Sequence, residues 1–111
     1  MNQTLSNKQL VSIANEFGTP LYVYHAEKIT EQYHKLTNGF AKANARFFYA
    51  CKSLTNINVL KHVKSLGASL DCVSINEVML GLKAGFEPQE ILYTPNCVDF
   101  AEIEAAKNLG V

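Results

Sequence analysis

The sequence predicts an α/β fold made of consecutive βα units, compatible with a (β/α)8 barrel or with an open parallel sheet. Short β-prone runs start near residues 46, 69 and 91, and Val111 stands where a fourth would begin. An amphipathic helical pattern that ends at a glycine follows each of the first three runs. Each repeat is long enough for one strand and one crossover helix, so the strands are expected to be parallel.

A separate helix is predicted at the start of the chain. The pattern Ser6-x-x-Gln9 is a capping box, in which each side chain bonds the backbone of the other residue. The helix is expected over residues 6–17, and Gly18 ends it because glycine tolerates the backbone conformation that follows a last helical turn.

The segment between this helix and the βα units predicts one strand and one helix. Residues 21–24 are β-prone but do not fit the βα repeat, so we expect them to join a different sheet. Apolar residues at helical spacing predict a second helix that ends near Gly39. They are Ile29, Tyr33, Leu36 and Phe40. We therefore divide the chain into residues 1–25, possible members of a β domain, and residues 26–111, the start of a barrel.

The βα units carry their own start and stop signals. The predicted strands are Arg46–Cys51, Ser69–Val73 and Ile91–Thr94. The helix after the first strand has its apolar face on Ile57, Leu60, Val63 and Leu66. Ser74 and Glu77 form a second capping-box pattern, and Asp99 opens the last helix with Ile103 and Ala106 directed inward.

Composition restricts the possible partners. The chain has 48% hydrophobic residues, 18% charged residues and no net charge, which excludes a disordered or a nucleic-acid-binding protein. No apolar run approaches the ~18 residues of a membrane span, and the first residues lack a secretory pattern. We expect a cytoplasmic protein with a small-molecule partner and no contact with nucleic acid or membrane.

The cysteines and histidines do not predict a metal site. The cysteines are Cys51, Cys72 and Cys97. They are odd in number and widely spaced, so we interpret them as reduced and mostly buried thiols rather than disulfide or metal ligands. The three histidines fall on predicted helix or turn positions and are interpreted as surface or structural residues.

A complete barrel or open sheet needs more chain than these 111 residues. A barrel takes about 250 residues and eight strands, and three strands alone leave two unpaired edges. We therefore expect the sequence to be truncated. The 111 residues by themselves are expected to be inactive and to associate through exposed apolar surface.

Candidate site residues lie where the strands end, because active sites of parallel α/β folds form at the carboxyl ends of their strands. Lys52 follows the first predicted strand, and side-chain alternation places Ala50 and Phe48 on the same face. A lysine there is either a solvated strand end or an amine that forms a Schiff base with a carbonyl group. Asp71 falls on the adjacent strand, where it could orient the amine or pair with any nearby cation.

Two segments resemble diaminopimelate decarboxylases, barrel enzymes that use pyridoxal 5'-phosphate (PLP). They are Phe17-Gly18-Thr19-Pro20-Leu21-Tyr22-Val23-Tyr24 and Phe47-Phe48-Tyr49-Ala50-Cys51-Lys52-Ser53. In that family the lysine of a tyrosine-alanine-any-lysine phrase binds the cofactor, and Lys52 occupies it here. Residues 70–74 with Glu77 are similar to the family's second strand and following helix. The family usually has valine where Cys51 stands, and a glycine-asparagine phrase where Thr94 to Cys97 stand.

The resemblance implies a lyase of lysine biosynthesis that decarboxylates meso-2,6-diaminopimelate to L-lysine and carbon dioxide. It implies Lys52 as the catalytic residue that binds the cofactor. The strand-end positions add Asp71 as a second catalytic residue, and Ala50 and Asp71 as further cofactor-binding residues. The resemblance also implies a homodimer of two-domain subunits, each with a (β/α)8 barrel and a β domain. The family's phosphate loop, ring-stacking histidine and partner-subunit cysteine would lie beyond Val111.

Other functions of the same fold remain open from the sequence. An ornithine or arginine decarboxylase and an amino-acid racemase share the barrel and the lysine. A non-catalytic PLP-binding barrel shares them too but lacks a second domain. The predicted strand over residues 21–24 argues against that carrier, because a bare barrel has no place for it.

Overall fold

The structure, a computed structural model, describes residues 5–111. The helices in these residues are α1 (Asn7–Phe17), α2 (Ala26–Gly39), α3 (Ile57–Ser65), α4 (Ile75–Ala84) and α5 (Phe100–Asn108). The strands are β1 (Phe48–Ala50), β2 (Ser69–Cys72) and β3 (Ile91–Tyr93). Short 3₁₀ turns, Cys51–Ser53 and Pro88–Glu90, follow β1 and precede β3. No helix of the described part is long and apolar enough to cross a membrane.

The strands form one parallel sheet in the order β1-β2-β3, which confirms the predicted α/β class and the parallel crossovers. Ala50 of β1 is in register with Asp71 of β2, and Asp71 is in register with Leu92 of β3. The carboxyl ends of all three strands therefore lie along one edge of the sheet.

One face of the sheet is covered by helices and forms the core. Leu70 and Cys72 are fully buried there, beneath α3 and α4. The opposite face carries Phe48, Ala50, Asp71 and Leu92, and the side chains of Phe48 and Leu92 stay 37% and 47% exposed. In a closed (β/α)8 barrel this second face is the barrel interior.

Arg46 ties the amino ends of the strands together. Its guanidinium donates from Nε to Ser69 Oγ at 2.8 Å and from a terminal nitrogen to the Gln89 carbonyl at 2.6 Å. It also lies 4.9 Å from the centre of the Phe48 ring, a cation–π contact on the uncovered face. Arg46 precedes β1, so the observed strand is shorter than the predicted one.

The helix starts follow their capping signals with one exception. The Ser6 and Gln9 capping box forms as predicted and opens α1. At α4 the Ser74 hydroxyl accepts from the Glu77 N–H at 3.3 Å, but the Glu77 carboxylate accepts from the Val73 N–H at 2.8 Å. The second box is therefore only half formed, because the side chain of Glu77 caps the end of the β2 segment instead.

The predicted strand over residues 21–24 is wrong: this segment is irregular in the structure. Tyr22 is 90% exposed, and no strand of the described residues lies alongside to complete a ladder. β-prone side chains cannot form a strand without a hydrogen-bonding partner. Residues 21–24 therefore give no reason to exclude a PLP carrier.

One expectation near the end of the chain is also wrong. The sequence predicts Ile103 in the interior, but its side chain is 43% exposed, whereas Ala106 is buried as predicted. The N–H of Val111 bonds the Ala106 carbonyl at 3.1 Å, and the start of a fourth strand at Val111 stays a prediction.

Candidate functional site

Lys52 lies in the 3₁₀ turn directly after β1, at the carboxyl edge of the sheet. The turn is fixed from below, because Cys51 is fully buried and its carbonyl accepts from the Leu54 N–H at 3.1 Å. The Tyr49 hydroxyl donates to the Leu54 carbonyl at 3.3 Å and closes the turn from the side. A rigid turn thus presents an exposed lysine to the space above the strand ends.

The amine of Lys52 makes no hydrogen bond or ion pair with residues 5–111. Lys64, at the opposite edge, lies 3.2 Å from Glu90 Oε2. Exposed helix lysines such as Lys61 and Lys83 are unpaired among the described residues, like Lys52. An unpaired amine at a strand end is free to react with a carbonyl group.

Asp71 and Ala50 stand beside each other on neighbouring strands, on the uncovered face below Lys52. The Asp71 carboxylate does not form an ion pair with Lys52 in this structure; its Oδ1 accepts from the Thr94 hydroxyl at 2.6 Å. Ala50, in register with Asp71, contributes only a methyl group to this face. The predicted site residues are therefore gathered at one edge, while the charge partnership predicted for Asp71 and Lys52 stays a prediction.

Thr94 follows β3 at the same edge of the sheet, and it was not predicted as a site residue from the sequence. Its N–H donates to the Cys72 carbonyl at 2.8 Å, which extends the parallel ladder one residue beyond β3. The observed register pairs Asp71 with Leu92, so Thr94, two residues further along, falls on the face of Asp71. The predicted strand starts at residues 69 and 91 would instead pair Asp71 with Tyr93, so no sequence signal identified Thr94.

Cys51 and Cys72 meet beneath the site, on the helix-covered side of the sheet. Their sulfur atoms and a Glu77 carboxylate oxygen all lie within 4.8 Å of one another. Burial raises the pKa of the Cys51 thiol to about 11, and burial together with Cys51 raises the pKa of Cys72 still further. Both thiols are fully buried in the core beneath the sheet, as the sequence predicted for most of the cysteines, whereas Cys97 is exposed.

A second carboxylate, that of Glu102, lies at the edge of the sheet near β3. Glu102 of α5 accepts from the Ile75 N–H at 3.4 Å and from the Tyr93 hydroxyl at 3.5 Å. Burial and this carboxylate raise the pKa of the Tyr93 hydroxyl, which keeps it a hydrogen-bond donor. These contacts fix α4 and α5 against the strand ends without occupying the space above Lys52.

The parallel sheet and the lysine at its carboxyl edge define a class, that of α/β proteins whose sites form at strand ends. Residues 26–111 match the pyridoxal binding domain of the pyridoxal-dependent decarboxylases. The chain therefore belongs to this decarboxylase family.

Individual relatives agree with that assignment. Over 103 residues the chain is 43% identical to the diaminopimelate decarboxylase of Methanothermobacter thermautotrophicus, with 91% of this chain and 24% of the relative covered. Among solved structures, diaminopimelate decarboxylase from Helicobacter pylori with L-lysine aligns with a TM-score of 0.84 at 29% identity, covering 92% of this chain and 26% of that one. Lysine/ornithine decarboxylase from Vibrio vulnificus with putrescine aligns at 0.86 and 27% identity, covering 96% and 30%.

These alignments confirm the predicted fold class, the first βα units of a TIM-type barrel, and the resemblance to diaminopimelate decarboxylases. The chain spans about a quarter of the length of the curated relatives it matches.

Proposed function

We propose that the full-length gene product is a PLP-dependent diaminopimelate decarboxylase, which converts meso-2,6-diaminopimelate to L-lysine and carbon dioxide. The observation that carries the proposal is the position of Lys52. Lys52 lies in the turn directly after β1, at the carboxyl edge of the sheet, with an amine that no described residue engages. Sequence identity of 43% to a diaminopimelate decarboxylase supports this substrate.

The residues present fit a planar pyridoxal group. Lys52 offers a reactive amine, and the small Ala50 leaves room beside it on the uncovered face. Asp71 contributes a carboxylate on the adjacent strand. This carboxylate forms no ion pair with the described residues. Bound PLP supplies an electron sink for the electrons left when carbon dioxide departs.

Within this scheme the Lys52 amine would hold the cofactor. The turn that carries this lysine is fixed by the contacts of Cys51 and Tyr49 with Leu54, which would keep the amine within reach of the substrate. The Asp71 carboxylate would favour positive charge on nearby nitrogen atoms and so hold a proton beside the lysine amine.

Borohydride reduction of the full-length holoenzyme tests the role of Lys52, because it makes the link between cofactor and lysine permanent. Peptide mass mapping should find the pyridoxyl group on Lys52. The K52A variant should lose the label and turnover, while K83A, which removes an exposed lysine of α4, should keep both. A label on another lysine of folded protein would refute the assignment.

A second candidate is a decarboxylase of lysine or ornithine, favoured by the likeness to the Vibrio vulnificus enzyme. A substrate panel separates the two: lysine from diaminopimelate supports the first, and cadaverine or putrescine from lysine or ornithine supports the second. PLP binding without release of carbon dioxide from any of the three would support a PLP carrier instead.

We also propose that the protein is a cytoplasmic homodimer. The family resemblance supports the dimer, and three free cysteines support a reducing compartment. Light scattering coupled to gel filtration would measure the assembly, and a monomeric holoenzyme would refute the dimer.

A further inference from the structure

Thr94 makes the shortest side-chain contact at the carboxyl edge of the sheet. Its hydroxyl donates to Asp71 Oδ1 at 2.6 Å, a length typical of a hydrogen bond to a charged carboxylate. The backbone of Thr94 is held independently by the Cys72 carbonyl at 2.8 Å, so the hydroxyl is presented from a fixed point.

This bond is the contact that orients Asp71. The ion pairs among residues 5–111 do not include Asp71, so its charge is met by a neutral hydroxyl rather than by a lysine or arginine. Because Oδ1 accepts from the Thr94 hydroxyl, Oδ2 is the oxygen left without a hydrogen bond among residues 5–111, on a residue in register with Ala50. A carboxylate without this bond could rotate and expose either oxygen to solvent.

We propose that Thr94 is a positioning residue, which fixes the Asp71 carboxylate beside the Lys52 turn and so sets the charge around the bound cofactor. The inference deepens the proposed function and rests on it. Thr94 opens the segment, Thr94 to Cys97, that stands where the resembling family has a glycine-asparagine phrase.

Spectral pH titration of the full-length holoenzyme tests the proposal, because the visible absorbance of bound PLP reports the protonation of the nitrogen that joins it to Lys52. In D71N the midpoint should fall by roughly one pH unit, the size of a neighbouring charge effect. In T94V, which keeps the shape of threonine, it should fall by at least half as much. T94S keeps a hydroxyl and should restore the wild-type midpoint.

The double variant T94V/D71N decides whether Thr94 acts through Asp71. Its midpoint should equal that of D71N alone, since no carboxylate remains to be oriented. Shifts that simply add, or a T94V midpoint equal to the wild type, would overturn the positioning role while leaving the PLP assignment intact. Failure of the proposed function is recognised separately, by borohydride label that is absent from Lys52 in all variants, and it would overturn this inference as well.

Discussion

Gly81 of α4 lies so close to Leu70 of β2 that a methyl group built on its Cα would come within 2.5 Å of Leu70 Cδ2. The same methyl group would lie 3.3 Å from Ile91 Cδ1. Leu70 is fully buried and Ile91 is 7% exposed, so both contacts lie inside the core. The absence of a side chain at this position therefore sets how closely α4 packs on the sheet that carries Asp71.

The G81A variant should destabilise the protein despite the better helix propensity of alanine. Overpacking of a dense core costs about 1–3 kcal/mol, which exceeds the ~1 kcal/mol gained by replacing glycine within a helix. Urea unfolding of the full-length protein measures the change. G39A is the matched control, since a methyl group at Gly39 of α2 meets nothing within 4 Å and should be neutral or stabilising. Equal effects of the two variants would show that the close contact with Leu70 is relieved at little cost.

Arg46 offers a second test, at the opposite edge of the sheet. The R46A variant should lower the free energy of unfolding by about 1–3 kcal/mol, because it leaves the buried Ser69 hydroxyl without its donor. R46K should recover little of this loss, since one ammonium cannot reproduce the forked contacts to Ser69 and Gln89. The denaturant midpoints of the wild type, R46A and R46K measure both changes in stability.

K61A is the control for Arg46, because Lys61 is an exposed cation of α3. Its removal should change stability by no more than about 0.5 kcal/mol. A loss in R46A no larger than that of K61A would mean that water replaces the guanidinium at Ser69.

The fold could be predicted from local sequence signals because the signals and the packing agree. Helix caps at Ser6, Ser74 and Asp99 are short-range devices, and they appear at the start of α1, α4 and α5. The strand over residues 21–24 failed because a strand is defined by a partner, and local propensity contains no information on partners.

The site was predicted in part for the same reason. The positions of Lys52 and Asp71 near the carboxyl edge could be predicted because strand ends are readable along the chain, whereas the Thr94 hydroxyl bond depends on the register between β2 and β3. Register is set by tertiary packing. The meeting of Cys51 and Cys72 under the sheet depends on it too, so widely spaced cysteines in the sequence become neighbours in space.

Thiol labelling should separate the cysteines by burial. In native protein Cys97, which is exposed, should react with an aromatic disulfide reagent at about pH 8, and Cys51 should not. A pKa of about 11 in place of 9.0 lowers the thiolate fraction of Cys51 about 100-fold, and burial blocks access as well. Peptide mapping after labelling identifies the reacted sites. C97S should lose the fast label, and fast labelling of Cys51 would show that the edge of the sheet opens.

The buried thiols of Cys51 and Cys72 should also make the stability of the protein depend on pH. The pKa of Cys51 is raised on folding from 9.0 to about 11, so its full contribution is present below pH 9 and is lost as pH rises toward 11. In that window the unfolded chain releases the proton first, which lowers the free energy of unfolding by up to about 1.4 kcal/mol per pH unit for each thiol. Cys72, with its still higher pKa, adds a loss in the same direction.

Replacing both thiols by valine isolates their share from that of other groups that titrate at high pH. Valine occupies the Cys51 position in the resembling family, so the C51V/C72V variant should fold and keep its core. Urea unfolding between about pH 8 and pH 10 should show a shallower loss of stability in this variant than in the wild type. Parallel curves for the two proteins would mean that the buried pair is as free to ionise in the folded state as in the unfolded chain.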